Sequence, residues 1–263
     1  MAEGKEGHCK EKQHFVMVHG VGHGAWCWFK VQHLLESSGH KVSCLDLAGA
    51  GINAADPNSI LSFEDYDQPL FDFMSALPHD EKVVLVGHSA GGLNVTKAIH
   101  DFGNKISLAI FIAATMLPSG FLSDQDLIDG VPNLSEYGDV YELQFGLVPD
   151  NPPTSVALKK EFQRMILYQL SPKEDSSLAS MLLRPWPYAI SKARFRGEKE
   201  NVNNVRRVYI KTMYDNMVKP EQQEAMIRRW PPNEVMIMKT DHSPFFSASE
   251  ELFNLIIKAS SFC

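Results

Sequence analysis

Residues 83–91 read Val-Val-Leu-Val-Gly-His-Ser-Ala-Gly, an apolar run that breaks directly into Gly-x-Ser-x-Gly. No other stretch of the chain constrains its fold as tightly. Four consecutive apolar residues of β-branched character suit a strand covered on both faces. The pattern behind them is that of a nucleophile elbow, a sharp strand-to-helix turn whose strained backbone pushes a serine hydroxyl into the open. Glycine at 87 and 91 fits, because strand and helix approach so closely there that side chains would collide. Leu93, Ala98, Ile99 and Phe102 then recur near helical spacing. Ser89 is therefore the candidate nucleophile. The competing reading is a serine in a glycine-rich turn, since the five-residue pattern alone arises by chance roughly 0.1 times in a chain of this length. The flanking strand and helix, and the residues below, favour the elbow.

Strands and helices alternate along the rest of the chain. Apolar runs predict strands at 15–18, 42–47, 106–114, 205–212 and 234–239, besides the elbow strand. Helical spacing predicts a helix over 26–35 that stops at Ser38-Gly39, and another that starts at Ser62 with Asp65. Pro69 is expected to kink or restart that second helix. A last helix is expected from a capping box at Ser247-Ala248-Ser249-Glu250. Continuous apolar strands alternating with helices predict an α/β fold with a mostly parallel, doubly wound sheet covered on both faces. From about 115 to 199 the rhythm changes: eight prolines punctuate short helical patterns and no strong strand run occurs. A helical insertion is expected there, not a second sheet. The expected division is a disordered N-terminus over 1–13 and a single domain over 14–263, with the inserted subdomain at about 115–199.

Charge and cysteine usage narrow the function. A formal net charge of −7 and the lack of a basic run argue against nucleic acid or an anionic membrane as partner. No apolar run approaches the length of a membrane span. Cys9, Cys27, Cys44 and Cys263 show neither metal-like nor disulfide-framework spacing, and Cys27 and Cys44 are expected as reduced core residues. The first dozen residues are charged, carry no apolar stretch and no arginine, so the expected compartment is the cytoplasm.

A serine hydroxyl is a poor nucleophile at neutral pH and needs a base beside it, itself held by a third group. At an elbow the chain order is Ser, then Asp or Glu, then His. His242 is the only histidine after His100, and it follows the last strand run, where the base belongs. Asp215 lies just past the strand at 205–212 and is the candidate acid. Asp241 adjoins His242, but neighbouring side chains in an extended loop diverge, so it is poorly placed to orient that imidazole. An oxyanion needs two backbone N–H donors, one from the residue after the nucleophile and one from the loop after an early strand. Position assigns these to Ala90 and Val21, with Gly20 letting the backbone come close. His19, His23 and His88 cluster near the same place but match no zinc spacing, so no metal is expected.

The motifs together resemble a known family. His-Gly-x-x-His-Gly-Ala-Trp-x-Trp at 19–28, Gly-His-Ser-x-Gly-Gly at 87–92 and Asp-His-Ser at 241–243 are similar to the plant methylesterase and hydroxynitrile lyase group of α/β-hydrolases. The resemblance runs from about residue 15 to the C-terminus, and stretches at 34–42, 46–53 and 182–185 extend it. It implies the triad Ser89, Asp215 and His242, oxyanion donors Val21 and Ala90, a helical cap and no cofactor. The lyases of the group carry threonine after the first-strand histidine and lysine after the catalytic one. Here Gly20 and Ser243 stand in those places, which points to the methylesterase branch. Ser243-Pro244-Phe245-Phe246-Ser247 replaces the methionine of the common esterase pattern and is similar to members linked to bulky methyl esters such as chlorophyll catabolites. Tyr214-Asp215-Asn216 likewise replaces the usual Glu-Asp-Lys. The expected function is a serine hydrolase for methyl esters of small to medium apolar carboxylic acids, β-keto methyl esters that then decarboxylate included. Two alternatives stand beside it: a small-molecule receptor on the hydrolase fold without useful turnover, and a hydroxynitrile lyase or other repurposed lyase. The partner expected is a small-molecule methyl ester, with a homodimer left open.

Overall fold

The computed structural model describes residues 12–146, 152–195 and 199–261. The N-terminal residues 1–11, together with Cys9 and Cys263, lie outside these. Gln13 is inside and is anchored: its side chain donates to Ser260 O at 2.9 Å and its N–H to His40 Nδ1 at 3.3 Å.

Two strands and a helix open the chain: β1 (His14–Val18), α1 (Phe29–Ser37) and β2 (Lys41–Leu45). Then follow α2 (Phe63–Ala76), β3 (Val83–His88), α3 (Gly91–Phe102) and β4 (Ile106–Ile112). The insertion holds α4 (Asp124–Gly130), β5 (Tyr141–Gln144), β6 (Ser155–Leu158), α5 (Lys160–Leu167), α6 (Lys173–Leu182), β7 (Trp186–Pro187) and α7 (Lys199–Asn204). The chain closes with β8 (Arg207–Thr212), α8 (Pro220–Arg229), β9 (Glu234–Met238), α9 (Pro244–Ser247) and α10 (Ser249–Ser260).

Six strands form the main sheet in the order β2-β1-β3-β4-β8-β9, and every pairing is parallel. Such a sheet needs helices on both faces, which is why β1 and β3 are apolar without alternation and buried at every position. The order reverses at β1: the chain passes to β2 on one side and returns to β3 on the other. Loops leaving neighbouring strands on either side of such a switch point diverge and open a crevice at the carboxyl edge of the sheet. The loop after β1 carries Val21 and the loop after β3 carries Ser89, so the fold opens a crevice between those two residues.

Several local expectations are refined. Residues 25–28 form a 3-10 turn, and the α-helix proper starts at Phe29 and stops at Gly39, whose φ of 88° suits glycine. Pro69 sits inside α2 without ending it. The apolar face of Phe63, Tyr66, Leu70 and Met74 is buried and holds the helix together, while Lys105 Nζ caps its last carbonyls at Met74 and Leu77. The capping box at 247–250 does not form. Ser247 lies in α9 and gives its hydroxyl to the carboxylate of Asp241 at 2.7 Å, and α10 starts after Ala248 with no side-chain cap. Ser247 is taken into the turn of α9, two residues before α10 begins at Ser249, so its oxygen does not stand at the N-cap position that the motif requires.

One expectation is corrected. The insertion carries a three-stranded antiparallel sheet, β5-β6-β7, besides its helices. Its strands are only four, four and two residues long and the last contains Pro187, so their pairing is non-local and leaves no periodic signal. Among the described residues no helix is long and apolar enough to cross a membrane.

Candidate active site

At the end of β3 the backbone turns sharply. Ser89 has a φ of 54°, in the left-handed region that costs a non-glycine residue about 1–3 kcal/mol. Neighbours hold it there: its N–H donates to Ile112 O at 3.2 Å, and its carbonyl accepts from Thr115 at 2.9 Å and Gly92 at 3.0 Å. A Cβ on Gly91 would lie 2.5 Å from His19 O, and one on Gly20 only 2.7 Å from Ser89 Cβ. Both glycines are therefore required by close approach. Gly20 lets the loop after β1 press directly against the serine. The N–H groups of Val21 and Ala90 donate to no other protein group among the described residues, and both residues line a cavity with Ser89.

His242 and Asp215 meet at the edge of β8 and β9. His242 Nδ1–H donates to Asp215 Oδ2 at 2.8 Å, and both side chains are buried. Three more donors fix the carboxylate: Thr212 Oγ1 on Oδ2, and the Met217 and Val218 amides on Oδ1, each at 2.8 Å. Asp215 is thus oriented on every side by donors, which is what a group that must hold an imidazole needs. Asp241 points elsewhere. It is fully buried and accepts from Leu170 N, Ser171 Oγ, Ser243 N and Ser247 Oγ.

The three clustered histidines serve as hydrogen-bonding struts. His19 Nδ1–H donates to Gly20 O at 2.8 Å and Nε2 accepts from Leu47 N at 3.1 Å, which ties the loops after β1 and β2. His23 Nδ1–H donates to Val21 O at 3.1 Å, so its Nε2 is left to accept the Tyr168 hydroxyl at 2.7 Å. His88 Nε2–H donates to the carbonyl of His242 at 2.7 Å. Burial pushes the pKa of His23 down to about 3 and that of His88 well below the ordinary histidine value, so both imidazoles stay neutral. Among the described residues no group of three or more histidine, cysteine or carboxylate side chains is arranged to hold a metal ion.

Aromatic rings box these imidazoles in. Trp26 stacks on His23 at 5.4 Å between centroids, and Trp28 packs edge-on against His88 and Phe245. Phe245 in turn lies 5.0 Å from His88 and 5.7 Å from His23. The Ala-Trp-x-Trp segment after β1 and the Pro-Phe-Phe segment after His242 therefore form one layer behind the site.

Ser89 opens onto two cavities. The larger, about 240 Å³, runs under the insertion between Leu93, Phe121, Tyr141, Val156, Trp186 and Val218, and no charged side chain lines it among the described residues. The smaller, about 70 Å³, is lined by His242 and His23 together with Gln163 and Arg184. Val21, Ser89, Trp186 and Met217 line both. The structure thus brings together all five residues that chain order picked out: Ser89, Val21, Ala90 and His242 on the cavities, and Asp215 behind the imidazole. Tyr168, His88 and Asp241 also shape the site. His88 and Asp241 stand in the motifs, but no local pattern shows what they or Tyr168 bind, because the partners His242, Ser171 and His23 lie 70 or more residues away.

Comparison with known proteins agrees with this geometry. The alpha/beta hydrolase family model matches residues 15–255. Methylesterase 17 of Arabidopsis thaliana is 51% identical over 255 residues, covering 95% of this chain and 92% of that protein. The crystal structure of the methylesterase MES16 from Arabidopsis superposes with a TM-score of 0.86 at 41% identity, over 95% of this chain and 100% of that one. Tomato methylketone synthase I, solved with 2-tridecanone, superposes at 0.85 with 35% identity, over 94% and 97%. An all-parallel six-stranded sheet, a strained serine at the end of its third strand and these relatives agree: the chain belongs to the alpha/beta hydrolase family, on its plant methylesterase branch.

Proposed function

We propose that this protein hydrolyses methyl esters of small to medium apolar carboxylic acids, with Ser89, Asp215 and His242 as a catalytic triad and the Val21 and Ala90 amides as the oxyanion hole. The observation that carries the reading is the His242–Asp215 hydrogen bond at 2.8 Å, set on the same cavity as a serine in a strained backbone. With Nδ1–H given to Asp215, the Nε2 lone pair of His242 is the one available to a proton from Ser89 Oγ.

The steps follow. Ser89 Oγ attacks the ester carbonyl as its proton passes to His242, and Asp215 stabilises the imidazolium. The Val21 and Ala90 amides receive the oxyanion, an effect worth about 3 kcal/mol per donor. His242 returns the proton to the departing methoxide and methanol leaves. Water then gives a proton to His242 and attacks the acyl-serine. Ser89 takes the proton back and the free acid is released.

The cavities support the choice of substrate. An uncharged apolar chamber of about 240 Å³ suits the acyl part, and the smaller lobe beside His242 suits a methoxy group. Gly20 has no room for the threonine of the lyases, and Ser243 stands where they carry lysine. The likeness to methylketone synthase I, a variant of which is solved with beta-ketoheptanoate, favours including β-keto methyl esters, whose acids lose CO2 unaided. Cys27 and Cys44 are unpaired thiols, which suits a reducing cytoplasm.

The test is methanol release across a panel of methyl esters (salicylate, jasmonate, indole acetate and a β-keto ester) by the wild type and Ser89→Ala. At least one ester should turn over, and Ser89→Ala should lose about 10⁶ in kcat while staying folded. A Ser89→Ala protein with a tenth of the activity would refute the assignment.

A further inference from the structure

A lid needs only to cover its site, yet the turn joining α5 to α6 reaches into the machinery beneath it. Tyr168, Gln169, Leu170 and Ser171 form a β-turn closed by Ser171 N–H donating to Tyr168 O at 3.1 Å. The Arg164 guanidinium tightens it by donating to Ser171 O at 3.3 Å. Each of the four residues then reaches a loop at the carboxyl edge of the sheet. The Tyr168 hydroxyl donates to His23 Nε2 at 2.7 Å, and His23 holds the carbonyl of Val21. The Gln169 amide donates to the carbonyl of Tyr214, the residue before Asp215. Leu170 N–H and the Ser171 hydroxyl both donate to Asp241 Oδ2 at 2.9 Å, beside His242. The acid loop also reaches back, with the Asn216 amide donating to Met165 O at 2.9 Å.

We infer that residues 168–171 are positioning residues: this one turn sets the relative placement of Val21, Asp215 and His242. The inference rests on the triad reading above. Sheet register aligns β1, β8 and β9, but the loops beyond them leave the ladder, and a misplacement of 1 Å at the reacting groups costs about 100-fold in rate. The turn supplies what the sheet does not, one rigid body touching all three loops. Asp241 is the most telling link. Its buried carboxylate has no cationic partner among the described residues and divides its oxygens, Oδ2 to the turn and Oδ1 to Ser243 N and Ser247 Oγ. His88 holds the carbonyl between them. The backbone on both sides of His242 is thereby pinned, and half of that hold comes from the insertion. The plainer reading is that the same bonds only latch the insertion onto the sheet. A latch acts on stability and on substrate affinity, and leaves the chemical step alone.

Tyr168→Phe and Ser171→Ala each remove one hydroxyl, and Ser171→Thr keeps it. For each variant, kcat and KM on a cleaved methyl ester, Tm, and the rate of inactivation by a fluorophosphonate would be measured. The fluorophosphonate reacts with Ser89 through His242 and the oxyanion donors, so it reports their alignment without a methyl ester. Tyr168→Phe and Ser171→Ala should each lower kcat and the inactivation rate about 10-fold with KM within about twofold. Ser171→Thr should recover most of the loss. A normal kcat and inactivation rate, with only KM raised or Tm lowered, would overturn the inference in favour of the latch. A wild type that reacts with the fluorophosphonate but cleaves no ester would remove the substrate reading and leave the turn to be judged on inactivation rates. A wild type inert to the fluorophosphonate would refute triad and turn together.

Discussion

Replacing Asp67 by asparagine should stabilise the protein, and by more as the pH rises. Asp67 lies on the buried face of α2, 4% exposed, with one amide donor, Asn94 Nδ2 on α3 at 2.7 Å. Burial raises its pKa from 3.8 to about 7, against the smaller lowering by Asn94 and Lys97. Below pH about 4 folded and unfolded chains both carry the proton. From there to pH about 7 the unfolded chain releases it while the folded one keeps it, so stability falls by about 1.4 kcal/mol per pH unit. Over about three units the loss reaches about 4 kcal/mol, and it levels off once the folded carboxyl ionises. Asp67→Asn keeps an oxygen for Asn94 and has nothing to ionise. Its unfolding free energy in urea, minus that of the wild type, should be near zero at pH 3, reach about 1 kcal/mol at pH 4.5, climb through pH 6 and plateau near pH 8. A difference that stays flat across that range would show that Asp67 ionises like an exposed carboxylate, and the burial argument would fail.

Asp215→Asn should cut turnover about 10⁴-fold with little change in KM, because an amide favours the wrong imidazole tautomer. Asp241→Asn should cost much less, and the reverse ranking in steady-state assays would show the acid to be misassigned. Gly20→Ala places a Cβ 2.7 Å from Ser89 Cβ. The serine or the oxyanion loop must shift, so kcat should fall about 100-fold. Unchanged kinetics in a folded Gly20→Ala protein would show that the elbow yields without effect.

Much of this site is legible in the chain because its chemistry is local in sequence. Val83 to Gly91 carries strand, turn and nucleophile together, and the ends of β8 and β9 are marked by the apolar runs before them. Chain order then suffices to pick out Asp215 and His242, which the structure places 2.8 Å apart. What escapes is whatever depends on pairing across distance. The strands β5, β6 and β7 are too short to show a period, and β7 joins them only through Trp186 and Pro187. Asp241 reads as an idle neighbour of His242, although its carboxylate binds Ser171, 70 residues away. The capping box at 247–250 shows the opposite error: the local motif is present, but Ser247 is drawn into α9 and the last helix starts only at Ser249.

The backbone at Ser89 has a consequence for how such a protein can be altered. At a φ of 54° glycine would sit without strain, and the serine hydroxyl opens to a cavity where it contributes no packing. Ser89→Gly would therefore relieve about 1–3 kcal/mol of strain, against about 0.5–1 kcal/mol lost to the greater freedom of glycine in the unfolded chain. At this position the more stable protein is the inert one. Mutational screens that reward only thermal resistance or soluble yield would drift toward erasing the nucleophile, so a stabilised variant of this fold has to be selected for turnover at the same time.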